Sequence, residues 1–146
     1  MNDRAQIETP LWLALLHAAS RVETRFEAAL AESGLTISKL GVLRTLVEAG
    51  EPMPLSRLAG KLSCVKSNVT QLVDRLEADG LVVRVNDPAD RRSILASVTA
   101  EGRARFEAGR TAVGSVEQEL FGAFETVDRE RLSRLLASVA KGGCGS

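Results

Sequence analysis

Apolar residues recur at intervals of three and four along most of the chain. Residues at these intervals share one face of an α-helix, so the pattern predicts amphipathic helices. The predicted helices are residues 10–33, 36–49, 55–62, 66–79, a long helix that starts near Thr99, and a last helix capped by Asp128. The first, second and fourth are expected to end at the glycines that follow them, Gly34, Gly50 and Gly80.

After residue 80 the apolar period changes from about 3.6 to about 2. Residues 81–85 and 93–98 are rich in β-branched side chains, which is typical of strands. The polar, proline-containing residues 86–92 between them suit the tip of a hairpin. Residues 51–54 contain two prolines and predict a short strand or an extended connector. Helix, helix, tight turn, helix and two-stranded wing together predict a mainly α (α+β) fold, the winged helix-turn-helix.

Composition narrows the functional classes. Apolar residues make up 45% of the 146 residues, enough for a core, and the formal net charge is zero. Bulk charge therefore does not indicate a nucleic-acid partner, and only the arrangement of charges can. No apolar run reaches the roughly 20 residues that span a membrane, and no signal-peptide pattern opens the chain. The cytoplasm is thus the expected location, without a membrane partner.

Nothing in the sequence indicates catalysis or a bound cofactor. We find no nucleophile–base pair and no paired carboxylates at useful spacing, so the chain is not expected to be an enzyme. One histidine, His17, and two distant cysteines are too few ligands for a metal site. The same two cysteines, Cys64 and Cys144, are too few and too far apart for a disulfide framework.

The helix predicted over residues 66–79 has a polar outer face without acidic residues at its start. Ser67, Gln71 and Arg75 are spaced four residues apart, with Asn68 beside them. Asn, Gln and Arg can each bond two sites on one base edge in the major groove of DNA. For this helix alone, an ordinary solvated face explains the pattern equally well. The hairpin that follows favours the DNA-binding interpretation over the solvated face.

That hairpin carries Asp90, Arg91 and Arg92 at its tip. Arginine suits a narrow minor groove, where the negative potential of DNA is concentrated. Asp90 is expected to hold the Arg92 guanidinium by a charge-assisted hydrogen bond and to aim it. In isolation, these residues would also fit a solvated turn.

Three segments resemble the MarR family of bacterial regulators. They are residues 58–82, which include VTQLVDRLEADGLV at 69–82, the wing segment DPADRR at 87–92, and the pattern Leu95-x-x-Val98-Thr99-x-x-Gly102. The chain length, the long first helix and the two closing helices agree as well. The resemblance therefore covers nearly the whole chain. It implies a winged helix-turn-helix lobe at residues 35–99, flanked by dimerisation helices at 1–34 and 100–146.

The resemblance also implies how such a protein works. Members are homodimers with interleaved terminal helices, and two recognition helices enter successive major grooves of a pseudo-palindromic operator in double-stranded DNA. Members usually repress transcription. Many release DNA when a small aromatic or phenolic ligand binds between the dimerisation helices and the DNA-binding lobe. From the residues alone, the apolar stripes of the first and last helices also require cover that a small lobe does not supply.

By the same resemblance, individual residues receive roles. The predicted base-edge contacts are Ser67, Asn68 and Gln71. Contacts to the DNA backbone are expected from Lys66, Thr70 and Arg75, and contacts to phosphate from Thr36 and Ser38. Arg92 is the expected minor-groove residue, with Arg91 beside it and Asp90 as its orienter.

Several alternatives remain open at this point. Val65 is a poor helix cap where the family usually has Ser, which leaves the register of the base contacts open. Cys64 is either a small buried apolar residue or the switch of a redox-gated repressor. Trp12 and His17 either pack at the dimer interface or line a ligand pocket. A winged-helix module that binds protein instead of DNA is the remaining alternative.

Overall fold

The computed structural model describes residues 8–62 and 68–143. In chain order the elements are α1 (Leu11–Leu30), a 3₁₀ turn (Ala31–Ser33), α2 (Ile37–Ala49), β1 (Met53–Pro54), α3 (Leu55–Lys61), α4 (Val69–Ala78), β2 (Val82–Asn86), β3 (Ile94–Val98), α5 (Ala100–Phe121) and α6 (Thr126–Gly143). The predicted mainly α fold with a wing is confirmed. The predicted turn at residues 63–65 and the first residues of the 66–79 helix lie outside the described residues.

The wing belongs to a three-stranded antiparallel sheet with the order β1-β3-β2. Strands β2 and β3 pair from Val82 opposite Val98 at the base to Asn86 opposite Ile94 at the tip. The extended segment predicted at 51–54 forms β1, which pairs Met53 with Ala96. The prediction of a two-stranded wing was therefore incomplete. The third strand ties the start of α3 to the middle of β3.

The predicted glycine stops are confirmed. Gly34, Gly50 and Gly80 all have positive φ angles between 68° and 76°, a conformation that side chains with a Cβ rarely adopt. The cap predicted for the last helix is wrong. Helical hydrogen bonding starts from the carbonyl of Glu125, which accepts from the N–H groups of Asp128 and Arg129, so Asp128 lies within the first turn.

One apolar core holds the lobe together, between α2, α4 and the sheet. The stripe predicted for α4 is buried as a whole: Val69, Leu72, Val73 and Leu76. The rest of this core comes from the end of α1, from α2 and α3, from the strands and from Phe106 of α5. In the first half of α1, by contrast, the large apolar residues Leu11, Trp12, Leu15 and Leu16 stay exposed. The core therefore fixes the lobe and leaves much of the terminal helices outside it.

The base of the wing and the start of α5 meet in close contact. The Thr99 N–H donates to the carbonyl of Leu81 at 3.0 Å, and its hydroxyl donates to the carbonyl of Gly80 at 2.7 Å. The same hydroxyl accepts from the N–H of Gly102 at 3.0 Å and caps α5. A Cβ at position 102 would lie only 2.1 Å from the Leu81 carbonyl oxygen. The junction therefore requires glycine at this position.

None of the helices in residues 8–62 and 68–143 combines the length and the hydropathy that a membrane crossing needs.

We expect Gly102→Ala to lower the free energy of unfolding by at least about 2 kcal/mol, because the added methyl group displaces backbone at this junction. Urea unfolding followed by circular dichroism measures the change. Gly60→Ala is the matched control, since no atom of the described residues lies within 4 Å of a Cβ there. It should be neutral or stabilising by up to about 1 kcal/mol. Equal effects of the two substitutions would contradict the close contact.

Candidate nucleic-acid interface

Helix α4 presents one polar face to solvent. Its apolar stripe is buried, and the described side chains predicted to contact DNA, Asn68, Thr70, Gln71 and Arg75, are all exposed. The four lie together because a helix with one buried face must turn its remaining positions outward. Lys66 and Ser67, predicted for the same face, and Cys64 lie outside the described residues.

The start of α2 lies next to this face. Thr36 and Ser38, the predicted phosphate contacts, line one cleft with Asn68, Gln71 and Arg75. The cleft has a volume of about 420 Å³, and among residues 8–62 and 68–143 its one apolar lining residue is Leu72. Five of the residues predicted to contact DNA therefore meet at a single place in the fold.

Glu27 brings helix α1 to the same cleft. Its Oε1 accepts a hydrogen bond of 3.0 Å from the N–H of Ile37, in the first turn of α2. The Thr36 hydroxyl caps α2 from the other side, by accepting from the Lys39 N–H at 3.2 Å. A carboxylate at a helix N-terminus is favourable because the dipole of the helix is positive there. Glu27 thus joins α1 to the helix that borders the polar face of α4.

The wing tip is shaped by two aspartates. Asp87 Oδ1 accepts from the N–H of Ala89 at 2.9 Å, and Asp90 Oδ1 accepts from the N–H of Arg92 at 3.0 Å. Both are the local turns that aspartate forms with the backbone two residues on. Arg91 and Arg92 are exposed at this tip. Asp90 was expected to hold the guanidinium of Arg92, whereas its contact in this structure is with the backbone.

An ion-pair cluster that sequence reasoning missed connects α4 to the wing. Arg84 of β2 donates through Nη2 to Asp74 Oδ1 at 2.5 Å and through Nη1 to Glu77 Oε1 at 3.0 Å. The pKa of Arg84 is raised, mainly by the hydrogen bond to Asp74, with the charges of both carboxylates adding and burial opposing. The available signal was the spacing of Asp74 and Glu77, which places both on one side of the helix.

The residues predicted for a ligand pocket lie elsewhere. Trp12 and His17 are exposed on the first half of α1, and neither is among the residues that line the cleft. Within the described part of the chain, no group of three or more His, Cys, Asp or Glu side chains is placed to hold a metal ion. What Trp12 and His17 do is thus still a prediction.

The polar helix face, the neighbouring wing and the core behind them define a winged helix-turn-helix DNA-binding protein. Comparison with known proteins agrees. The family model described as "MarR family" matches residues 35–94. The HTH-type transcriptional regulator FarR of Neisseria gonorrhoeae is 30% identical over 133 residues, which cover 88% of each chain.

Two solved structures are similar over most of their length. The repressor CouR bound to a 23-mer DNA duplex is 31% identical, covers 89% of this chain and 92% of its own, and has a TM-score of 0.81. BpsR of Bordetella bronchiseptica, whose DNA binding is regulated by 6-hydroxynicotinic acid, is 26% identical with a TM-score of 0.83. That match covers 92% of this chain and 95% of BpsR.

The chain belongs to the MarR family and is a DNA-binding transcriptional regulator. Its relatives are named as regulators of transcription, which agrees with the expectation that it is not an enzyme. The resemblance drawn from the motifs at 58–82 and 87–92 is confirmed.

Proposed function

We propose that this chain acts as a homodimer that binds a pseudo-palindromic operator and leaves it when a small aromatic ligand binds. One observation carries the proposal: the cleft lined by Thr36, Ser38, Gln71 and Arg75 is also lined by Glu27 of α1. A molecule in this cleft would touch a terminal helix and the DNA-facing surface at once. Binding there is therefore a direct way to move one relative to the other.

The lining of the cleft favours a particular class of ligand. Among the described residues it offers one guanidinium, one carboxylate, two hydroxyl groups and two amide side chains beside Leu72. The carboxylate, that of Glu27, already accepts the hydrogen bond from the Ile37 N–H, so Arg75 is the charged group that an acid would meet. Arginine binds carboxylates through two parallel hydrogen bonds, and hydroxyl and amide groups suit phenolic oxygens. A small hydroxylated aromatic acid fits this chemistry. The regulation of BpsR by 6-hydroxynicotinic acid supports the same class.

In this mode of DNA binding, base-edge contacts come from Ser67, Asn68 and Gln71. Backbone contacts go to Lys66, Thr70 and Arg75, and phosphate contacts to Thr36 and Ser38. Arg92 enters the minor groove next to Arg91. The exposure of the described members of this set supports the assignment, as does the likeness to CouR, which was solved on a DNA duplex.

Dimerisation is supported by where apolar surface stays exposed. Leu11 is 87% exposed and Trp12 64% exposed at the start of α1, and Leu135 and Val139 of α6 are 59% and 62% exposed. None of the described side chains of α6 is buried. Apolar surface of this extent marks a site of association, and a second copy with the same faces would cover it. We therefore propose the division that the family resemblance implies, in which residues 1–34 and 100–146 form the dimer and residues 35–99 bind DNA.

Two substitutions test the DNA contacts. Arg92→Ala should weaken operator binding by about 1–3 kcal/mol, since it removes a contact within a groove. Gln71→Ala should relax the preference at particular base pairs, because only base-edge contacts read sequence.

Both effects are measured by fluorescence anisotropy. The duplexes are those that the wild type selects from a random-sequence pool, together with single-base variants of them.

Arg110→Ala is the control for these variants, since Arg110 lies on α5 and pairs with Glu107. Its affinity for DNA should equal that of the wild type. If Arg92→Ala bound the operator with unchanged affinity, the predicted minor-groove contact of the wing would be wrong.

A substitution on α6 tests whether the protein forms the proposed dimer. Leu135→Glu should weaken self-association by at least about 2 kcal/mol, because the interface would then bury an unpaired charge. Sedimentation velocity at several protein concentrations measures the dissociation constant. Ile94→Glu is matched, since Ile94 is an apolar residue of the wing that is 45% exposed. That variant should remain dimeric. A wild type that sediments as a monomer at micromolar concentration would refute the dimer.

Ligand release is tested with a panel of benzoic, hydroxybenzoic and hydroxynicotinic acids. An acid present at about 100 times its dissociation constant stabilises the folded state by about 2.7 kcal/mol, which raises Tm by roughly 5–10 °C. The same acid should lower operator affinity. Arg75→Gln should lose the Tm shift, and aromatic amines of equal size should not cause it. Stabilisation by an acid that leaves operator affinity unchanged would contradict the proposed release.

A further inference from the structure

The recognition helix α4 is acidic, which is unfavourable for a helix that approaches DNA. With the residue that follows it, the helix carries Asp74, Glu77 and Asp79 against a single basic residue, Arg75. Uncompensated, these carboxylates would repel the phosphates on either side of the groove. Something in the fold must cancel them or hold them away from DNA.

Both carboxylates of the helix interior are bound by Arg84 of the wing. Glu77 makes two contacts with this residue: Oε1 accepts from the guanidinium and Oε2 accepts from the Arg84 backbone N–H, each at 3.0 Å. Asp74, one turn earlier, accepts from the other terminal nitrogen of the guanidinium. The third carboxylate, Asp79, is bound by Lys39 of α2 at 3.0 Å. The recognition helix is thus held to α2 at its end and to the wing along its last two turns.

Because Arg84 lies in β2, its contacts with Asp74 and Glu77 fix the position of the wing relative to α4. Arg84 is the middle residue of β2 and lies opposite Ala96, which is fully buried in the sheet. Its side chain is only 21% exposed, while those of Asp74 and Glu77 are 58% and 42% exposed. A planar guanidinium that binds two carboxylates one turn apart fixes both distance and angle. The wing tip that carries Arg92 begins at Asp87, three residues further on, where β2 has ended.

We propose that Arg84 is a positioning residue for DNA binding: through Asp74 and Glu77 it sets the recognition helix and the wing in one fixed relation and cancels the negative charge of the helix. Arg84 does not itself bind DNA in this scheme, because its guanidinium is committed to the two carboxylates. The inference rests on the proposed operator binding by α4 and the wing tip. It adds a residue that neither the family resemblance nor the predicted contacts include.

The test compares two duplexes: one selected by the wild type from a random-sequence pool, and a scrambled duplex of equal composition. Arg84→Gln should lower affinity for the selected duplex about tenfold and lower the ratio of selected to scrambled affinity. The slope of log affinity against log salt should stay unchanged, because no phosphate contact is lost. A slope that falls by about one would show that Arg84 binds phosphate directly, and would overturn the proposal.

The double variant Asp74→Asn/Glu77→Gln distinguishes a positioning role of Arg84 from a simple effect of charge. Removing two negative charges from a DNA-binding helix should strengthen binding to both duplexes if charge alone matters. If Arg84 positions the helix, the ratio of selected to scrambled affinity falls despite the more favourable charge. Both side chains are well exposed, so this variant decides the matter even where Arg84→Gln fails to fold. An unchanged ratio in the double variant would overturn the proposal.

Arg110→Gln is the matched control, since it also removes one paired arginine, in this case on α5. Its ratio should equal that of the wild type. A purely structural role for Arg84 would reduce the active fraction and lower both affinities by the same factor, which leaves the ratio unchanged and refutes positioning. Failure of the wild type to enrich any duplex would count against the proposed operator binding, a result distinct from failure of this inference.

Discussion

Burial of one face of α4 is the constraint on which the interface depends. Val69, Leu72, Val73 and Leu76 pack into the core of the lobe, and a fully buried aliphatic side chain contributes about 1.5–3 kcal/mol. Successive residues turn by about 100° around a helix, so a shift of one position would bury polar side chains instead. The same packing that stabilises the lobe therefore decides that Gln71 and Arg75 face outward. Fold and function share one set of contacts.

The parts of the structure that could be predicted from the sequence are those that local rules determine. The buried stripe of α4, the glycine stops and the hairpin follow from periodicity and backbone preference, and the structure confirms them. Strand β1 has only two residues, too few to show alternation, and forms because β3 offers it an edge. Likewise, nothing local predicts that Arg84 meets Asp74, since β2 must first fold back along the helix.

The wing tip shows a different limit. Asp90 and Arg92 carry opposite charges two residues apart, and an ion pair between them was the natural expectation. A short aspartate side chain reaches the N–H two residues on without ordering a long arginine. Exposed ion pairs are also weak, because water screens them and both side chains lose entropy. Local geometry therefore favours the backbone contact, which leaves the Arg92 side chain available to a partner.

Because the net charge of the chain is zero, DNA binding depends closely on the geometry of these contacts. A strongly basic protein binds any DNA through its overall field, and small errors in geometry then matter little. This chain has no net positive charge to attract DNA. Its recognition helix carries more acidic than basic side chains, and the excess negative charge is compensated only by contacts with residues such as Arg84 and Lys39. Affinity must then come from a few cations and amide groups presented at the right spacing. In the proposed mechanism, such a regulator is sensitive to small displacements of the lobe, and a ligand in the cleft shared by α1, α2 and α4 would cause them.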